Sequence, residues 1–234
     1  MDYNQTDYNV IPNLEDTLEF EDNPDQRTPC VLLLDTSYSM AGEPILELNQ
    51  GLKIFKQTLM EDSLARRRVE VSVLTFGGQV DLVQDFVTAD QFNPPTLHAS
   101  GGTPMGEAID RALDRVAMRK TLYAQAGIPK TLPWVFLITD GAPTDDWQRA
   151  AERVHRNSEA REMALFAVGV QGADMHTLGQ IAAPNRPPVK LAGLQFRELF
   201  AWLSQSLRQV SRSTAGVQVA LPPPKDWAEG WGQV

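Results

Sequence analysis

Cys30-Val31-Leu32-Leu33-Leu34-Asp35-Thr36-Ser37-Tyr38-Ser39 decides the fold. Its five leading residues are apolar without alternation, the pattern of a central strand covered on both faces, and the run stops abruptly at Asp35. A second such run, Trp134 to Thr139 (WVFLIT), also ends in an aspartate, Asp140. In a doubly wound sheet the loops that leave these two strands can meet, although a buried strand ending in Asp is by itself shared by flavodoxin-like, phosphatase and nucleotide-binding folds.

Working outward, Ile45, Leu48, Leu52, Phe55 and Leu59 recur at three- and four-residue spacing with Pro44 in the first turn, which predicts an amphipathic helix. Val69 to Phe76 alternates and is rich in β-branched residues, and Gly77-Gly78 turns it into Gln79 to Phe86, an antiparallel hairpin expected at an edge. Ser100-Gly101-Gly102-Thr103-Pro104 is a loop, followed by Ile109, Ala112, Leu113 and Val116 at helical spacing. Beyond Asp140 the pattern predicts a helix over Trp147 to Arg161, a strand over Met163 to Val170, a short helix over Asp174 to Ala182 and a weak strand at Val189-Lys190-Leu191. A last helix carries Phe196, Leu199, Phe200, Leu203, Leu207 and Val210 on one face. The expected fold is α/β: a doubly wound, mostly parallel central sheet with one antiparallel edge strand and helices on both faces.

Composition narrows the function. The chain has 234 residues and a formal charge of −9, and residues 1–27 hold eight acids against Arg27 alone. The remainder is nearly neutral, with no basic cluster larger than Arg66-Arg67-Arg68, so nucleic acid is not an expected partner. Cys30 is the single cysteine, which fits a reducing compartment. The early sequence is acidic where a signal peptide is basic, and the longest early apolar run is too short to span a bilayer, so a cytoplasmic protein with no membrane partner is expected. The chain divides into an acidic segment (1–27), a domain (28–213) and a tail (214–234) containing Pro222-Pro223-Pro224, Trp227 and Trp231. A tail of this kind ordinarily folds back over apolar surface. An acidic first segment is ordinarily a solvated, mobile tail, though one of its carboxylates could occupy a cation site of its own or a neighbouring molecule.

Asp-x-Ser-x-Ser after an apolar strand, Gly-Gly-Thr-Pro opening a helix and Thr-Asp-Gly closing a second apolar strand together resemble the metal-ion-dependent adhesion site (MIDAS) of von Willebrand factor A (VWA) domains. The resemblance spans roughly Pro29 to Ser213 and implies a VWA, Rossmann-like fold. It also implies a metal centre built from Asp35, Ser37, Ser39, Thr103 and Asp140, with the serine hydroxyls ligating directly. These oxygens are all hard donors, which suits Mg²⁺, with Mn²⁺ or Ca²⁺ as alternatives. Neutral hydroxyls and only two carboxylates undercompensate a dication, leaving it attractive to an Asp or Glu of a protein partner. Within the superfamily, Leu32 to Met40, Leu137 to Gly141 and Phe200 to Ser204 resemble bacterial TerY-type proteins of tellurite resistance and stress response. That resemblance implies a protein kinase and a PP2C-type phosphatase as partners.

Plainer readings stand beside these. Thr103 before Pro104 is also an ordinary helix N-cap, and Asp145 and Asp146 suit the first turn of the helix that follows them. Tyr38 occupies a position held by a small residue in many relatives; it could restrict access to the metal or stack on a partner. No G-x-S-x-G elbow surrounds Ser37, and no general base stands out, so binding is expected rather than catalysis. The enzymatic alternative is a haloacid-dehalogenase-like, Mg²⁺-dependent phosphohydrolase with Asp35 as nucleophile and Asp140 with Asp145 on the metal. Its chemistry wants an acid two residues after the nucleophile, and Ser37 stands there. In a third reading the metal merely staples loops of a structural scaffold.

Overall fold

The computed structural model describes Phe20, residues 23–222 and the pair Ala228–Glu229. Seven strands form one sheet in the order β3-β2-β1-β4-β5-β6-β7. They are β1 (Thr28–Asp35), β2 (Val69–Gly77), β3 (Gln79–Thr88), β4 (Trp134–Thr139), β5 (Ala164–Gly169), β6 (Val189–Leu191) and β7 (Ala228–Glu229). The five strands from β2 to β6 across the sheet run parallel, and β3 pairs antiparallel to β2 at one edge. The expected hairpin is therefore present, with β3 as its exposed edge.

The other edge differs from expectation. β7 adds a second antiparallel pairing, Lys190 with Glu229 and Leu191 with Ala228. A two-residue strand has no periodicity to read. The tail before it returns to the domain: Val219 and Leu221 pack on the core, and the indole N–H of Trp202 donates to the carbonyl of Pro222 at 2.7 Å. Trp227 and Trp231 lie outside the described residues.

Among the described residues, six helices flank the sheet: α1 (Glu43–Met60), α2 (Ala65–Arg68), α3 (Met105–Ala126), α4 (Gln148–Glu159), α5 (Met175–Ile181) and α6 (Phe196–Arg212). β1 shows why its sequence does not alternate. Cys30, Leu32 and Leu34 join the core beneath α1 and α6, whereas Val31 and Leu33 join the core beneath α3, α4 and α5. Both faces are dry, so both need apolar side chains. α1 and α6 pack closely because Gly51 leaves its surface bare: a Cβ there would lie 2.4 Å from the Phe200 ring.

The chain runs from β1 outward to β2 and β3, then returns to the opposite side of β1 as β4. Loops leaving β1 and β4 thus diverge from adjacent strands at the carboxyl end of the sheet, the topological switch point at which ligands bind in open α/β sheets.

The opposite end is closed. Arg27 and Glu70 are both fully buried, and Arg27 Nε donates to Glu70 Oε1 at 2.7 Å. Arg119 Nε donates to Glu70 Oε2 at 2.8 Å, and the Tyr123 hydroxyl donates to the same oxygen. Arg27 also donates to the carbonyls of Asp25 and Asn23, and its backbone joins Pro129 and Thr131. Phe20 stacks edge-on with Tyr123 and lies under the Arg119 guanidinium, 5.0 Å from its ring centroid. The end of the acidic segment is consequently part of the fold, which corrects the expectation of a solvated tail for Asn23 to Arg27. A guanidinium that neutralises a buried carboxylate cannot be left in water.

Candidate metal centre

Asp35 ends β1 with its side chain fully buried. One carboxylate oxygen accepts from the Ser37 backbone N–H at 2.8 Å and the other from the Thr139 hydroxyl at 2.5 Å. The chain then enters a single 3₁₀ turn, Tyr38–Met40, which sets the Ser37 and Ser39 hydroxyls 2.9 Å apart. Ser39 donates to Asp140 Oδ1 at 2.6 Å, closing the path from β1 to β4.

Thr103 arrives from a third loop. A Cβ on Gly141 would stand 3.4 Å from Thr103 Oγ1, 3.8 Å from Ser39 Oγ and 3.9 Å from Asp35 Oδ2. Gly141 therefore borders a small space into which three of the expected donors face. Asp35, Ser37, Ser39, Thr103 and Asp140 all come together here, from loops separated by up to a hundred residues.

Backbone contacts hold the loops in register. Tyr38 N–H donates to the Gly101 carbonyl, Ser100 N–H to Thr36 and Gly78 N–H to Gly102. Gly101 has φ +68°, and a Cβ on it would lie 2.4 Å from the Gly78 Cα. Glycine is required on both grounds, conformation and close approach.

The plain reading of Thr103 does not hold. α3 starts at Met105 with Pro104 at the cap position, so Thr103 stands one residue too early to cap it. The exposed first-turn N–H groups of α3 are met instead by Asp145, whose two oxygens accept from Gly106 at 2.9 Å and Glu107 at 2.8 Å. Asp145 thus serves a helix nearly forty residues upstream rather than the one that follows it, a pairing that only the fold creates. Asp146 stands one residue before the α4 cap, Trp147, rather than in the first turn, and accepts from Gln148 N–H at 3.2 Å. Thr139 was not anticipated as a site residue; its hydroxyl also accepts from Gly141 N–H at 3.2 Å. Its place directly before Asp140 was the available signal.

Electrostatics distinguish this end. Burial raises the Asp35 carboxyl above the ordinary range, against the bonds from Ser37 and Thr139, and the charge of Asp140 adds to the rise. Burial likewise raises Asp140, with Ser39 opposing. No guanidinium or ammonium bonds either carboxylate among the described residues, nor do three or more His, Cys, Asp or Glu side chains cluster there. Two desolvated acids and three hydroxyls, all hard oxygens, suit a small divalent cation of the Mg²⁺ type. Tyr38 is 71% exposed, and Ser39 is the exposed member of the five expected donors, the other four being buried.

A mostly parallel sheet with its topological switch point between β1 and β4, and oxygen donors from three loops gathered there, define a class of α/β domain with a MIDAS-like arrangement. The von Willebrand factor type A domain model matches residues 30–192, and the chain belongs to that family. Matrilin-3 of Gallus gallus is 28% identical over 164 residues, which cover 65% of this chain and 33% of matrilin-3. Matrilin-1 of Gallus gallus is also 28% identical. The chain spans about a third of the length of these curated relatives.

Among solved structures, the manganese-loaded TRAP protein of Plasmodium vivax superposes with a TM-score of 0.53 at 22% identity, over 75% of this chain and 74% of that one. The proximal thread matrix protein 1 of the mussel byssus, with zinc in its MIDAS motif, gives a TM-score of 0.52 at 18% identity, over 78% of this chain and 48% of that one. These likenesses establish the fold. Among the described residues, no helix is long and apolar enough to cross a membrane.

Proposed function

We propose that the chain is a non-catalytic, Mg²⁺-dependent protein-interaction module. Asp35, Ser37, Ser39, Thr103 and Asp140 hold the cation, and a partner's Asp or Glu completes its coordination. The observation that carries this reading is the pair of buried carboxylates, Asp35 and Asp140, bound to hydroxyls and raised by burial, with no protein cation bonded to either. The metal supplies a positive charge and an exchangeable ligand position. The side chains orient it, and the neutral hydroxyls leave its charge only partly offset. Zinc and manganese in the mussel and Plasmodium relatives support a divalent ion.

The finer reading is an adaptor of the TerY type in a bacterial tellurite-resistance or stress-response system, working in the cytoplasm with a protein kinase and a PP2C-type phosphatase. Its support is the likeness of the three sequence stretches around Asp35, Asp140 and Phe200, together with the single cysteine. The phosphohydrolase alternative loses support from one observation: Asp145, which that chemistry would place on the metal, is bound to the α3 N-terminus.

The test is recovery of partners from a lysate of the source organism in Mg²⁺ and in EDTA, with wild type and Asp140→Ala, followed by mass spectrometry. A defined protein retained only by wild type in Mg²⁺ supports the module, and a kinase or phosphatase supports the finer assignment. Retention indifferent to both metal and mutation overturns it.

A further inference from the structure

The loops that surround the candidate metal centre carry charge of one sign. Residues 35–43, 77–80, 98–104, 140–147 and 170–174 contain Glu43, Asp145, Asp146 and Asp174 in addition to Asp35 and Asp140, and no lysine or arginine. Asp145 and Asp174 are spent on capping α3 and α5. Glu43 and Asp146 are exposed. In the first turns of the helices that leave this end stand Arg149, His176 and Arg197, the last paired with Glu47, and Arg111, a turn further along α3, is held by Glu107 and the Val80 carbonyl.

A divalent cation offsets Asp35 and Asp140, which leaves Glu43, Asp145, Asp146 and Asp174 in excess over Arg149 around it. A partner carboxylate then meets attraction at the metal and repulsion around it. The repulsion is relieved when the partner brings positive charge on the residues flanking its acid. The exposed ring of Tyr38 adds a face that attracts ammonium and guanidinium groups.

On the reading that this centre binds a partner's carboxylate through a metal, we propose that it selects an Asp or Glu flanked by lysine or arginine. The flanking cations lie against Glu43, Asp146 and the Tyr38 ring. The same rim turns away acid-rich segments, including this chain's own residues 1–27, with their eight acids and one arginine. Self-occupancy of the site by that segment is thereby disfavoured.

The test uses the full chain in Mg²⁺ and fluorescence anisotropy with labelled nonapeptides that share a central Asp flanked by Lys, Ser or Glu. A fourth peptide has Asn at the centre of the Lys-flanked frame. Affinity should fall in the order Lys, Ser, Glu, by up to about fivefold per flanking charge at low salt, and the spread should shrink at high salt. EDTA or the central Asn should abolish binding, and the double variant Glu43→Lys with Asp146→Lys should reverse the order. Equal or tighter binding of the Glu-flanked peptide in Mg²⁺ overturns the proposal. Binding of the Lys-flanked peptide that survives EDTA also overturns it, since the rim would then act without the metal. Absence of Mg²⁺-dependent binding by any peptide at millimolar concentration instead overturns the carboxylate reading beneath it.

Discussion

The two ends of the sheet bury carboxylates in opposite ways. At the amino ends of the strands, Glu70 is enclosed by two guanidiniums and a phenol, with Arg27 and Arg119 at 2.7 and 2.8 Å. At the carboxyl ends, Asp35 and Asp140 have only hydroxyl and backbone N–H partners. Burial of a charge is tolerated when it is paired and hydrogen-bonded, and is otherwise resolved by protonation or by an external cation. The first end is therefore a finished structural element, and the second has the unpaired acids that the proposed cation would offset.

The largest effect should come from breaking the finished end. Glu70→Ala takes the counter-charge from the fully buried Arg27, and removal of one partner from a buried pair costs about 3–5 kcal/mol. Chemical denaturation should show that loss equally in Mg²⁺ and in EDTA. A loss that depended on the metal would mean the two ends are not independent.

Asp62, fully enclosed near the same end, tests pairing in a second setting. Burial pushes its carboxyl up, but bonds from the Ala65 and Leu64 N–H groups and from Arg212 hold it below the ordinary range. A depressed carboxyl contributes stability above its unfolded value near 3.9, and that contribution disappears as pH falls through the lower folded value. Asp62→Asn should cost about 1–3 kcal/mol at neutral pH and flatten the acid limb of the stability profile. An unchanged acid limb would show that these bonds do not bias the carboxyl.

The open end predicts the reverse sign. Asp35 and Asp140 are raised, so in EDTA their contribution is fully present below the unfolded value near 3.9 and is lost as pH rises through the higher folded values. Metal-free protein should lose stability over that rise, and Mg²⁺ should restore it at neutral pH by binding the folded state. Asp35→Asn should raise the melting temperature in EDTA and abolish the gain from Mg²⁺. A variant destabilised in EDTA would contradict the description of an uncompensated site. The smallest change, Thr139→Val, removes one hydroxyl bond to Asp35 and should weaken Mg²⁺ binding by about fivefold, the equivalent of one hydrogen bond of roughly 1 kcal/mol. Titration calorimetry reads this directly.

The open end was largely legible in the sequence, whereas the closed end was not. β1 and β4 announce themselves because strands dry on both faces must be continuously apolar, and each stops at an aspartate that the parallel topology carries to the same edge. The serines and Thr103 are fixed in spacing to those strands by short loops. Arg27 and Glu70, by contrast, are 43 residues apart and lie in runs with no special pattern. Only the register that sets Pro29 beside Glu70 brings them together. Asp145 was misread for the same reason: its partners belong to α3, and local helix chemistry pointed to α4. β7 is a pair of residues whose pairing comes wholly from the return of the tail.

The most direct measurement is calorimetric titration of metal-free chain with Mg²⁺, comparing wild type, Asp140→Ala and, as a control away from the centre, Asp62→Asn. The account predicts saturable binding of one ion by wild type and by Asp62→Asn, and none by Asp140→Ala. Absence of binding by folded wild type, or binding that Asp140→Ala leaves unchanged, would contradict it.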